Sequence, residues 1–177
     1  MNFRIQVNCP RISGILNEDD ESLDEAIETV FLLNTETMIM IWNDVYIPLT
    51  YKYDLSVIMK DIMIMLEKLC NSSSGKLTIH WPSNTFSSIW NFQWEDNKLK
   101  IDTRWFTVIG DTEGLLNSRN VIEIDKTSFI QEWKTLLLKI RWALEESGYN
   151  SAKIPEMERL AHHCNIIPGG GILYQAR

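Results

Sequence analysis

The run "SSIWNFQWEDNKLKIDTRWF", residues 87–106, admits few folds. Large apolar residues alternate with polar ones on both sides of Glu95-Asp96-Asn97-Lys98, the period-two signature of two strands joined by a tight loop. Closing that four-residue loop sets Trp94 opposite Leu99, Phe92 opposite Ile101 and Trp90 opposite Thr103 on one face. Asn91, Gln93, Lys100 and Asp102 take the other. A sheet with one greasy and one wet face is antiparallel and covered on a single side.

Two segments have the helical spacing needed for that cover. From Asp54, Leu55, Ile58, Met59, Ile62, Leu66 and Leu69 form a stripe that Val57, Met63, Ile64 and Met65 widen, with Asp54 or Ser56 as candidate caps. Phe129, Trp133, Leu136, Leu137, Ile140 and Leu144 form a second stripe, started by Thr127 or Ser128 and ended at Gly148. Further strands are predicted at "FRIQV", "TETMIMIW", "VYIPLTYKY", "KLTIHW" and "VIEI". Asn43-Asp44 makes a turn between the second and third, and Pro48, which cannot donate to a ladder, makes its run irregular or an edge strand. "GDTEGLLNSRN" reads as a loop.

Leu23, Ala26, Ile27, Val30 and Phe31 predict a further helix over 21–32. The expected fold is α+β: an antiparallel β-sheet of about five to seven strands packed on one face by two main helices, about 54–70 and 127–147. An acidic N-terminal helix and a short C-terminal helix, about 155–164, complete it. With 177 residues, 45% of them apolar and 23% charged, one domain over 1–177 is expected, with 164–177 as a tail.

The charge is lopsided. "NEDDESLDEAIE" holds seven carboxylates, and residues 12–51 hold nine acids without a Lys or Arg: Glu18, Asp19, Asp20, Glu21, Asp24, Glu25, Glu28, Glu36 and Asp44. Of 24 acids, 24 less these nine leaves 15 against 17 bases, so the net −7 belongs to this segment. Such a surface repels phosphate backbones and attracts basic ones, so nucleic acid is not an expected direct ligand. An ordinary surface helix intersperses Lys at i+4, and this one does not. A solvated helix face is one account of the run. Binding a strongly basic protein, with these nine residues as partner-binding candidates, is the other.

No basic-then-apolar leader opens the chain, and "LSVIMKDIMIMLEKLC" is interrupted by charges well short of the roughly 20 apolar residues of a membrane span. Three widely spaced cysteines, Cys9, Cys70 and Cys164, suit free thiols and a cytoplasmic location. Histidine is scarce. His80 lies within a strand pattern, and "HHC" at 162–164 places adjacent side chains about 100° apart on a helix, poorly disposed to share a metal. "GGG" at 169–171 lacks the Lys-Ser/Thr of a phosphate loop. No catalytic residue, metal ligand or cofactor is expected. A small hydrolase or ligand-binding enzyme using His80 or His162/His163 is the alternative, and an adaptor docking through Leu138 and Trp142 is a third reading. Trp81, Trp105 and Trp142 are the tryptophans left without an assigned core position.

The stretches "MIMIWNDVYIPLTYKYDLSVIMKDIMIML", "IWNFQWEDNKLKIDTRWF" and "FIQEWKTLLLKIRWALEESGY" resemble the small acidic immunity proteins of bacterial contact-dependent growth-inhibition toxins, over residues 36–149. The partners of ribonuclease-type toxins are the nearest in character. The resemblance implies an intracellular inhibitor, as a monomer or a 1:1 heterodimer with its toxin, covering a basic nuclease's RNA-binding cleft with phosphate-mimicking carboxylates. It carries no residue role, so the site assignment rests on charge.

Overall fold

In the computed structural model, residues 2–169 are described. They form two antiparallel sheets rather than one. Strands β1 (Phe3–Gln6), β2 (Thr37–Trp42) and β3 (Val45–Thr50) make the first, in the order β1-β2-β3. Strands β4 (Ser74–Pro82), β5 (Phe86–Glu95), β6 (Lys98–Val108) and β7 (Val121–Asp125) make the second, in sequence order. The helices are α1 (Leu23–Val30), α2 (Met59–Asn71), α3 (Glu113–Ser118), α4 (Lys126–Glu146) and α5 (Glu156–Ile166).

The hairpin register follows the alternation: Trp94 pairs with Leu99, Phe92 with Ile101 and Trp90 with Thr103. Asn43 and Asp44 both adopt positive φ, 44° and 65°, as a two-residue turn between twisted antiparallel strands requires. Pro48 lies on edge strand β3, where its missing N–H costs no ladder bond. Gly75 on β4 faces the Trp94 ring so closely that a Cβ there would lie 2.4 Å from Cζ2, which explains a glycine within a strand.

Side chains, not a shared ladder, join the two sheets. Trp42 of β2 packs against Trp90 at 5.1 Å between ring centroids and against Trp105 at 5.3 Å. Phe3 of β1 meets Phe129 of α4 at 4.7 Å. The Trp42 indole N–H donates to the Arg119 carbonyl (3.0 Å), and Asn43 Nδ2 donates to the carbonyls of Arg119 (2.7 Å) and Val121 (3.0 Å). At the β1 edge, Glu132 of α4 accepts from the Ile5 amide (3.0 Å), occupying a donor that another strand would need. One cluster of buried apolar side chains runs from Phe3 to Ile167. Trp81 and Trp105 belong to it, whereas Trp142 is exposed and carries Lys139 Nζ 4.8 Å above its ring.

Several boundaries differ from the sequence expectations. The helix expected from residue 54 begins at Met59, after a π-helical turn over Tyr51–Leu55. Thr50 caps that turn, its hydroxyl accepting from the amides of Tyr53 (3.4 Å) and Asp54 (3.2 Å). Asp54 is fully buried there. One of its oxygens accepts from the Thr50 amide (2.7 Å) and hydroxyl (2.8 Å), the other from the hydroxyls of Ser83 and Thr85. A carboxylate that the spacing made a simple cap is thus a buried tie between the π-turn and the β4–β5 loop. The expected loop at 110–120 contains α3. Helix α4 starts at Lys126 with no side-chain cap bond, while Thr127 donates to Asn97 of the hairpin loop. Helix α5 runs through Ile166 and Ile167 is buried, so the expected tail at 164 starts too early. Its residues 170–177 lie outside those described.

Candidate functional site

The acidic segment enters α1 through a capping box. Ser22 Oγ accepts from the Glu25 amide (3.4 Å), while the Glu25 carboxylate accepts from the amides of Ser22 (3.1 Å) and Glu21 (2.8 Å). This reciprocal arrangement satisfies otherwise free helix N–H groups and sets negative charge at the positive end of the helix dipole. Leu23, Ala26, Ile27 and Val30 bury the opposite face, so the acids are held outward on a packed helix.

The nine acids do not act alike. Glu18, Asp19, Glu21 and Glu25 are exposed, and Asp24 and Glu28 are half-buried. Asp20 is buried. It accepts from the Tyr149 hydroxyl and from Asn17 Nδ2 (2.8 Å), and the Tyr149 oxygen accepts in turn from the Asn17 amide (3.1 Å). Burial, reinforced by the Asp20 carboxylate, raises the Tyr149 pKa, so the phenol stays protonated and donates. Asp20 is therefore a strut fixing the acidic loop to the segment that follows α4, with its carboxylate turned inward rather than out with its neighbours. Asp44 is displaced as well. It occupies the β2–β3 turn, whereas Glu36 precedes the opposite end of the same hairpin, so about 20 Å of strand separates them.

Two lysines from distant sequence partly offset the patch. Lys60 Nζ lies 3.6 Å from Asp24 and 3.1 Å from Glu156, and Lys153 Nζ donates to the Glu18 carbonyl and lies 3.8 Å from its carboxylate. Glu156, in the first turn of α5, thereby joins the acidic surface. Nothing in its local sequence signals this; only the packing of α5 against α2 brings it there. The contiguous candidate set is Glu18, Asp19, Glu21, Asp24, Glu25 and Glu28, extended by Glu156 and, beyond the C-terminal end of α1, by Glu36.

His80 stands apart from His162 and His163, whose ring centroids lie 6.0 Å from each other. His80 is exposed on the wet face of the four-stranded sheet, where the register sets it opposite Ile89. His162 is exposed and His163 fully buried, as their 100° separation on α5 predicts. Neither ring nitrogen of His163 has a hydrogen-bond partner, although Nε2 lies 3.4 Å from Glu67, which forms a two-pronged ion pair with Arg159. Cys164 is buried, and that burial pushes its thiol up to about 11. Among the described residues, no group of three or more His, Cys, Asp or Glu side chains is placed to hold a metal ion. A hollow beside the hairpin loop is lined by Gln93, Lys98, Lys100 and Glu123 among others and contains no histidine. Among the described residues no helix is long and apolar enough to cross a membrane.

His163 makes acid lability an expected property. Burial lowers its pKa, an effect that Glu67 only opposes in part, so the unfolded chain takes up the proton first. Its contribution to stability is complete at neutral pH and falls away as the pH drops below the ordinary histidine value of about 6.5. Glu67 is held low chiefly by its hydrogen bonds with Arg159, and loses its contribution at lower pH, through the carboxylate range. Urea midpoints should therefore hold level around pH 7.5 and fall as the pH drops from about 6.5 to 5. A His163→Leu variant should flatten the upper part of that fall, and an unchanged slope would refute the assignment.

Comparison with protein-family models, with curated proteins and with solved structures returned no match.

Proposed function

We propose that this chain is a binding protein of the immunity type, which neutralises a basic ribonuclease toxin by covering its RNA-binding cleft with carboxylates. The observation that carries the reading is the outward-facing acid set on α1 and the loop before it. The capping box and the Asp20–Tyr149 strut order that set, and Lys60 and Lys153 offset it only in part. Acids held in place before the partner arrives lose little side-chain and loop entropy on binding, and their common sign accelerates encounter with a cationic surface. The active element on this reading is the surface itself, and no catalytic group or cofactor takes part.

The direct test takes the product of the adjacent reading frame, which on this proposal ends in a basic nuclease domain. Co-expression of the chain should restore growth to cells making that domain. The purified chain at equimolar concentration should abolish its cleavage of RNA. Full cleavage in a large excess of folded chain overturns the proposal.

A further inference from the structure

Four large apolar side chains lie exposed at the C-terminal end of the acidic helix. Leu32 is 50% exposed, Leu33 43%, Tyr53 43% and Val57 41%. The local chain path produces this. Helix α1 ends at Phe31, whose ring turns inward and stacks on Tyr51 at 4.6 Å, so the two leucines that follow are directed to solvent. The π-turn brings the other two alongside. Lys52 Nζ donates to the Leu32 carbonyl (3.4 Å) and lies 5.2 Å above the Tyr53 ring, and Ser56, next to Val57, donates to Glu28 (3.2 Å). On the other side the Glu36 amide donates to the Leu33 carbonyl (3.2 Å). The apolar group is thus bracketed by Glu28 and Glu36 and continuous with the acids of α1.

We infer that Leu32, Leu33, Tyr53 and Val57 are the apolar centre of the acidic surface, and that it receives a basic segment of another protein carrying an apolar side chain flanked by Lys or Arg. This rests on the reading of the acids as a partner-binding surface and adds the class of segment it takes. Charge complementarity selects that occupant: Glu28, Glu36 and the exposed acids before and on α1 outnumber Lys52, which lies over the Tyr53 ring, and a desolvated apolar centre within a charged rim is the usual division of labour in a protein interface.

The probe is a labelled amphipathic peptide of about 18 lysines and leucines, compared with a lysine–serine peptide of equal charge. Anisotropy titrations with the full chain at low salt should show the leucine peptide binding about tenfold or more tightly. Leu32→Ser with Leu33→Ser should remove that preference while leaving the serine peptide's affinity unchanged, with folding checked by near-ultraviolet circular dichroism. Val57→Ser, a single milder change, should reduce it in the same direction. Equal affinity for the two peptides overturns the inference and leaves the charge reading standing. Failure of both peptides to bind, or indifference to Asp19→Lys with Glu21→Lys, strikes the charge reading itself. Self-association of the chain that the leucine changes abolish also overturns the inference, since the occupant would then be a second copy.

Discussion

Replacing Asp54 by alanine is expected to destabilise the protein by about 4 kcal/mol, far more than the loss of any exposed carboxylate would. The side chain is fully buried and its two oxygens accept from one backbone amide and three hydroxyls. Hydrogen bonds to an ionised group contribute about 1.5–3 kcal/mol each, and hydroxyls that can rotate toward other acceptors recover part of the loss. For a chain of this size the midpoint of thermal unfolding should fall by on the order of 10 °C. Asp54→Asn keeps one acceptor oxygen but turns donors toward donors, so it should restore less than half. The loss is also expected to be local in origin: hydrogen exchange should quicken first in the π-turn and in residues 83–85. A cost below about 1 kcal/mol for the alanine variant would show that the cluster does not tie these segments together.

Reversing Asp19, Glu21 and Glu28 to lysine should weaken binding to the proposed basic partner by about two orders of magnitude at low salt, at a cost in stability of only about 1 kcal/mol. Asp19 and Glu21 are exposed and accept in none of the side-chain ties that hold the loop, whereas half-buried Glu28 accepts from the Ser56 hydroxyl, and losing that bond accounts for the cost. Each reversal removes an attraction and adds a repulsion of about 1 kcal/mol together, so three reversals approach 3 kcal/mol, about 1.4 kcal/mol corresponding to a factor of ten. Salt is the internal control. Because the lost contribution is screened, native and reversed chains should converge as ionic strength rises, and most of the difference at low salt should appear in the association rate. Binding unchanged in affinity and salt dependence, by a folded chain, would remove α1 and the loop before it from the interface. Asp20 is the wrong residue for this experiment despite its place in the same run, since altering it would unfasten the loop from Tyr149.

The parts legible in the sequence share one property: the pattern and its consequence lie within a few residues of each other. Alternation across 87–106 specifies the β5–β6 register because a one-residue slip would turn Trp90, Phe92 and Trp94 into water. Pro48 marks an edge because it lacks a donor, and Gly148, at φ 94°, ends α4 because left-handed backbone is open to glycine. The stripe of α4 survives as its buried face: Phe129, Trp133, Leu136, Leu137, Ile140 and Leu144. The acidic segment was likewise visible, down to the helix that carries it.

Decisions between distant segments were not visible. Alternation says that a strand has a partner and a covered face, but it does not say which strands share a ladder. The seven strands of the described residues divide into three and four: Glu132 occupies the β1 edge, while indole and phenyl rings, rather than backbone, bridge Trp42 to Trp90 and Phe3 to Phe129. The same limit applies to charge. Sequence alone determined that residues 12–51 carry acids without bases, which is a matter of composition. Tertiary structure decided which of those acids meet solvent: it buried Asp20 beneath Tyr149, carried Asp44 to the far end of a hairpin, brought Lys60 and Glu156 to Asp24, and set two leucines among the acids that remained. Electrostatic and apolar contacts act between neighbours in space, and neighbours in space are chosen only when the whole core closes.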